Sequence, residues 1–245
     1  MRTTRVPDPA LSPRRRVLLR AFSLSGVVPL GAFLVVHLAV NARALAGEGA
    51  LARAAEASRR VPALAVVEAA LIFAPLLVHA LVGTWLVVAR PPLALPRPYP
   101  PALRVAVRVT GVLALAFLAM HLPEIRFREG ATRPDPDVLA TWLAADLSSM
   151  HGGLPARAVA YMLGTAVVCF HFGAGLWGYF AATPKGASPR ARRLAAWWAA
   201  AVGATAWVLF ANIVVYHATG ARLFGHAVDE GPAMGGTCPP ASARP

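Results

Sequence analysis

The chain has 245 residues, 57% of them hydrophobic and only 14% charged, with a mean hydropathy of +0.56. Those proportions exclude an ordinary soluble globular domain and place the chain among polytopic membrane proteins. The formal net charge of +13 does not mark a nucleic-acid binder: the arginines sit in short connections between apolar runs, where lipid headgroups and membrane orientation account for them.

Met1 to Arg20 is polar, Pro-containing and basic, and reads as a cytoplasmic leader. It is too long, and the apolar run after it too extended, for a cleavable signal peptide. The first predicted helix spans residues 21–42, without a charge and with His37 in its last third. An Ala-rich, mixed-charge connection, Arg43 to Arg60, has the composition of a short surface helix. The second helix, 61–89, contains Glu68 and His79, and a Pro-rich linker from Pro91 to Pro101 follows it. The third, 104–122, carries His121 near its end. A long polar connection from Glu124 to Ala156 includes an amphipathic stretch at Val138 to Ser149. The fourth, 158–183, has no charge between Arg157 and Lys185 and carries His171 near its middle, with Gly164, Gly175 and Gly178 on the same helical face. Such a face suits either a flat bulky ligand or close helix packing. The fifth covers 194–217, and the Gly/Pro-rich segment 218–245 is expected to be a disordered tail. Five runs of this length each cross a hydrocarbon core of about 30 Å as a helix.

With five crossings, the side holding the N-terminus collects 14 of the 24 lysines and arginines, and nearly all acids fall on the other side. This bias predicts a cytoplasmic N-terminus and an external C-terminus. Cys169 and Cys238 suggest neither a disulfide framework nor a metal motif.

Four of the predicted helices carry one deep histidine each, and their depths differ. His37 and His121 lie 6 and 5 residues before Arg43 and Arg126, close to the external boundary. His79 and His171 lie 11 and 14 residues before Arg90 and Lys185, toward the cytoplasmic side. Two depth-matched pairs suit bis-imidazole ligation of two haem irons, with small residues making room for porphyrin. Gly83 and Gly175, each four residues beyond a histidine of the inner pair, are the candidate packing residues. A zinc or copper site would gather imidazoles at one level. A single such histidine is commonly a hydrogen-bonded helix contact; four at two shared depths are not. His151, His217 and His226 fall in connections or at helix ends and read as structural or solvent-facing. Met120, Trp85, Trp177, Trp197, Trp198 and Trp207 read as packing or interface anchors.

FSLSGVVPLGAFLVVHLAVN from residue 22, VEAALIFAPLLVHALVGTWL from 67, RVTGVLALAFLAMHLPEIRF from 108 and FHFGAGLWGYF from 170 carry a resemblance. Over roughly residues 15 to 217 the chain resembles the single-chain, five-helix, di-haem cytochrome b subunit of succinate:quinone oxidoreductases, the succinate:menaquinone type especially. The resemblance implies an all-α membrane protein, a four-helix haem-binding bundle plus a fifth helix, in a bacterial inner membrane. It implies two b haems, a distal one on His37 and His121 and a proximal one on His79 and His171. It further implies a flavoprotein and an iron-sulfur subunit on the cytoplasmic face, a quinone acceptor (menaquinone in preference to ubiquinone) and no catalysis by this chain alone. Fumarate reductase, running in the opposite direction, or another di-haem quinone-linked anchor fits the same residues. A haem-free transporter or metal carrier is the reading from a different class. Some fumarate reductases of this family place a proton-carrying glutamate two residues before the helix-four ligand; Cys169 stands there instead, so that route is not expected.

Glu68 is the only acid inside a predicted membrane span. Counted as α-helix it lies three turns from His79 on one face, at the level of the outer pair. Its carboxyl is a candidate for proton transfer at a quinone site. The structural alternative is an ion pair with Arg126 or Arg59.

Overall fold

The computed structural model describes residues 13–88, 100–126, 136–181 and 188–225. The first twelve residues of the expected leader, the Pro-rich linker to residue 99, Arg90, Lys185, and the tail from His226 through Cys238 lie outside the described residues. The described chain is α-helical, with one isolated bridge between His151 and Leu154. Among those residues, five helical stretches are long and apolar enough to cross a bilayer: Arg20–Ala46, Leu64–Val88, Pro101–Arg126, Ala156–Ala181 and Pro189–Thr219. The protein is an all-α polytopic membrane protein.

Prolines shape the first two spans. α1 (Pro13–Val27) begins inside the basic leader, eight residues before the expected start at Ala21, because proline is tolerated in a helix's first turn. A break at Val28 precedes α2 (Pro29–Ala42), with Pro29 at the first helical position, and a 3-10 turn (Arg43–Ala46) closes the span. Val28 still donates to the Leu24 carbonyl and Ala32 to that of Val28, so the span bends without losing its ladder. The second span opens after Ala63, whose φ of 51° turns the chain upward. It consists of α4 (Leu64–Glu68), a π turn (Ala69–Phe73) and α5 (Ala74–Val88). Pro75, which has no N–H to give, is the second residue of α5, just beyond the π turn, and the wider turn accommodates its ring.

Two short helices sit across one end of the bundle. α3 (Glu48–Arg59) follows the first span, and α7 (Pro136–Ser148) lies between the third span, α6 (Pro101–Arg126), and the fourth, α8 (Ala156–Ala181). α3 and α7 pack on each other, and α7 also packs on α9 (Pro189–Thr219). Much of the buried apolar surface is here: Ala44, Ala50, Leu51, Leu143 and Leu147 are all under one-tenth exposed. The opposite ends carry no such cap among the described residues. α6 runs four residues beyond the expected end at Leu122, passing through Pro123 to Arg126.

The fifth span is an integral wall. α8 and α9 form the most extensive helix contact, with glycines at the crossing. A methyl group on Gly173 would stand 2.8 Å from the Ala199 carbonyl oxygen, and one on Gly203 2.9 Å from that of Cys169. Cys169, 1% exposed, packs with Phe210 and Ile213 in the same seam. Beyond α9 the chain folds back: the Leu223 N–H donates to the Asn212 side-chain oxygen at 2.7 Å, and the Asn212 amide donates to the Phe224 carbonyl at 3.2 Å. Arg222 donates to the Leu45 carbonyl at 2.8 Å, tying this turn to the first span.

The obstruction at Gly203 is backbone, which cannot swing aside. Gly203→Leu should therefore destabilise the fold by about 1–3 kcal/mol, the usual range for overpacking, measured as a lowered thermal midpoint in detergent; an unchanged midpoint would show that the two helices can separate freely.

Candidate functional site

The four deep histidines come from four spans: His37 on α2, His79 on α5, His121 on α6 and His171 on α8. They meet in two pairs. The rings of His37 and His121 lie 6.0 Å apart, centre to centre, with planes at 82°. Those of His79 and His171 lie 6.3 Å apart at 81°. All four side chains are half-buried. Among the described residues there is no group of three or more histidine, cysteine, aspartate or glutamate side chains able to share an ion.

Each ring has its Nδ1 beside a polar neighbour, and His37 has the Asn41 amide within 3.5 Å of its Nε2 as well. In the inner pair, His79 Nδ1 is 3.2 Å from the Phe22 carbonyl oxygen and 3.5 Å from Ser25 Oγ, and the ring stacks on Phe22 at 4.5 Å. His171 Nδ1 is 3.4 Å from Thr110 Oγ1, whose own proton goes to the Ala106 carbonyl at 2.7 Å, leaving its lone pairs toward the imidazole. In the outer pair, Tyr161 Oη lies 3.4 Å from His121 Nδ1. The Asn41 amide donates to the His37 carbonyl at 2.8 Å and stands 3.4 Å from His37 Nδ1. Such contacts fix the orientation of an imidazole.

These orienting residues, Ser25, Asn41, Thr110 and Tyr161, were not singled out from sequence, since hydroxyl and amide side chains in a membrane helix carry no signal of their own. Two glycines were missed as well. A methyl group on Gly26 would stand 2.5 Å from His79 Cε1, and one on Gly111 3.0 Å from His171 Cε1. The proposed packing glycines behave differently from each other: Gly175 faces open space, whereas Gly83 meets the Phe22 ring at ordinary contact distance. Gly164 backs onto the Phe117 ring, so its small size serves helix packing.

Glu68 is engaged by Arg126, with Oε2 and Nη2 3.8 Å apart and both side chains mostly covered. Arg126, one of the two expected partners, is thus a basic partner of Glu68. The α-helical count placing Glu68 on the face of His79 runs through the π turn, and the extra residue turns Glu68 off that face by about 100°. His217 is buried in the last turn of α9 against Tyr216, while His151 is exposed in a tight turn. The indoles of Trp177 and Trp207 donate to the Arg192 and Met162 carbonyls, and Trp85, Trp197 and Trp198 stand on the outer surface.

Fold and site together define a class: an all-α, five-span membrane protein with paired imidazoles at two depths. No family model and no solved structure matches the chain. Over 176 residues, 71% of this chain and 83% of the relative, it is 34% identical to the succinate dehydrogenase cytochrome b558 subunit of Bacillus subtilis (strain 168). The chain belongs to the succinate dehydrogenase cytochrome b subunit family.

The nearest atoms that a side chain at Gly26 would meet all belong to the His79 ring. Gly26→Leu should break the inner pair and leave the outer one, read as a change in the ring NMR signals of selectively labelled His79 and His171 with those of His37 and His121 unmoved.

Proposed function

We propose that this chain is the membrane-anchoring and electron-transfer subunit of a succinate:quinone oxidoreductase, holding one b haem on each histidine pair. The pairing carries the reading: four imidazoles from four spans meet as two separate couples, with ring centres 6.0 and 6.3 Å apart, and two facing imidazoles are the donor set that would hold a haem iron. The cytochrome b name of the relative agrees with this donor set, and two separate pairs favour it over a transporter or metal carrier that clusters imidazoles at one point.

When bound, a haem in each pair supplies one-electron carriers at two depths between a soluble dehydrogenase and a quinone. The chain's own residues prepare the sites. His37 and His121 would hold the outer group, His79 and His171 the inner one, each ring oriented through its Nδ1 neighbour. Gly26 and Gly111 keep side-chain bulk away from the inner pair. The acceptor is a quinone, menaquinone by resemblance. Glu68, held by Arg126 at the boundary nearest the outer pair, takes up and releases protons there as the quinone is reduced. The N-terminal side faces the cytoplasm of a bacterial inner membrane, and the basic residues there, with Arg190, Arg192 and Arg193 exposed on α9, receive the flavoprotein and iron-sulfur subunits.

Pyridine haemochrome analysis should find two b haems per chain. His79→Ala or His171→Ala should each lose one of them; a variant that keeps both would refute the pairing. Glu68→Gln should keep both haem spectra and succinate oxidation by soluble acceptors while quinone-coupled turnover falls at least tenfold; unchanged turnover would remove Glu68 from the mechanism.

A further inference from the structure

The two pairs are oriented by chemically different partners. The inner rings meet a backbone carbonyl and a threonine hydroxyl, both uncharged. On the outer pair, His121 meets Tyr161, 6% exposed, whose hydroxyl also lies 3.4 Å from Glu124 Oε2. Glu124 in turn is paired with Arg157 at 2.5 Å, and Arg157 Nε donates to Asp146 Oδ2 at 2.9 Å. Arg157 lies over the Tyr161 ring at 5.8 Å and reaches Met120 Sδ at 3.6 Å, which leaves the guanidinium little freedom. These groups come from α6, α7 and the start of α8, so the capping helix α7 is wired to the outer pair through Asp146.

A tyrosine hydroxyl has one proton and two lone pairs. Donating that proton to Glu124 makes its oxygen a stronger acceptor for the His121 Nδ1 proton, and an imidazole whose Nδ1–H is so engaged is a more basic ligand. The neighbouring Arg157, shared between Glu124 and Asp146, limits this pull. We infer that Tyr161, backed by Glu124 and Arg157, is a positioning residue that sets the reduction potential of the outer site separately from the inner one, by strengthening the His121 imidazole as a donor. The inference rests on the haem reading of the pairs. Its sign follows from the chemistry: a more basic ligand favours the oxidised metal, so removing the hydroxyl raises the outer potential.

The experiment is a redox titration of purified complex carrying Tyr161→Phe, followed by haem absorbance and low-spin EPR. Both haems should remain. One component should titrate at higher potential, with at least a tenfold rise in its reduced-to-oxidised ratio at the wild-type midpoint, about 59 mV for a one-electron couple. Glu124→Gln keeps the tyrosine contact and should move the same component upward by less. Thr110→Val should move only the other component. If both haems are bound and neither variant of the outer network shifts a potential, or if Tyr161→Phe shifts the component that Thr110→Val shifts, the inference is overturned. Should Tyr161→Phe lose its outer haem, Glu124→Gln decides, and an unmoved potential there overturns it equally. Wild-type protein without haem would instead overturn the haem reading itself, and with it this inference.

Discussion

An imidazole inside a hydrocarbon layer has two nitrogens and no water to satisfy them, so each needs a neighbour supplied by the protein. Here that requirement falls on four rings at two levels, and it explains why the spans are arranged as they are. The kinked first span presents the Phe22 carbonyl to His79 and, beyond its bend, His37 to His121. The third gives Thr110 to the inner level and His121 to the outer. The fourth gives His171 to the inner and Tyr161 to the outer. Thr110 and His121, and likewise Tyr161 and His171, are 11 and 10 residues apart, about 15 Å along a helix. Three spans therefore serve both levels, and a slide of any one along its axis disturbs both pairs at once.

Space is managed by glycine in two distinct ways. At the α8–α9 crossing, Gly173 and Gly203 let two backbones touch, which in lipid is a main source of helix affinity because apolar burial alone drives little association there. Gly26 and Gly111 instead face the imidazoles, and their missing side chains leave the rings where they are. The second span is the least enclosed of the five, with none of its most apolar window buried. Its hold on the bundle comes from α1 alongside it, smaller contacts with α2 and α6, the His79 contacts and the Glu68–Arg126 pair.

Hydropathy and spacing made the five spans, the two depths and the matching of histidines readable, because a bilayer imposes a fixed length and every deep polar residue stands out against it. Local geometry was less visible. Pro29 and Pro75 announce distortions, yet nothing in the residue string chooses a π turn at Ala69–Phe73 over a simple kink. That single extra residue is why helical counting misplaces Glu68 around its axis. The orienting groups were hidden for a different reason. Tyr161 lies 40 residues from His121 in sequence, and a tertiary contact between two helices has no periodicity to betray it. The same holds for Gly26 and Gly111, indistinguishable in sequence from Gly83, which faces an ordinary phenylalanine.

The fold-back after α9 moves the structural boundary of the membrane domain. Asn212 is wholly enclosed, and both of its side-chain bonds end on Leu223 and Phe224, after the helix has stopped at Thr219. A chain cut at the end of the helix would leave a carboxamide in the interior with neither donor nor acceptor opposite it, at a cost of about 1–3 kcal/mol. The last transmembrane helix is consequently not the last folded element, and reporter fusions or minimal expression units for this protein belong beyond Phe224.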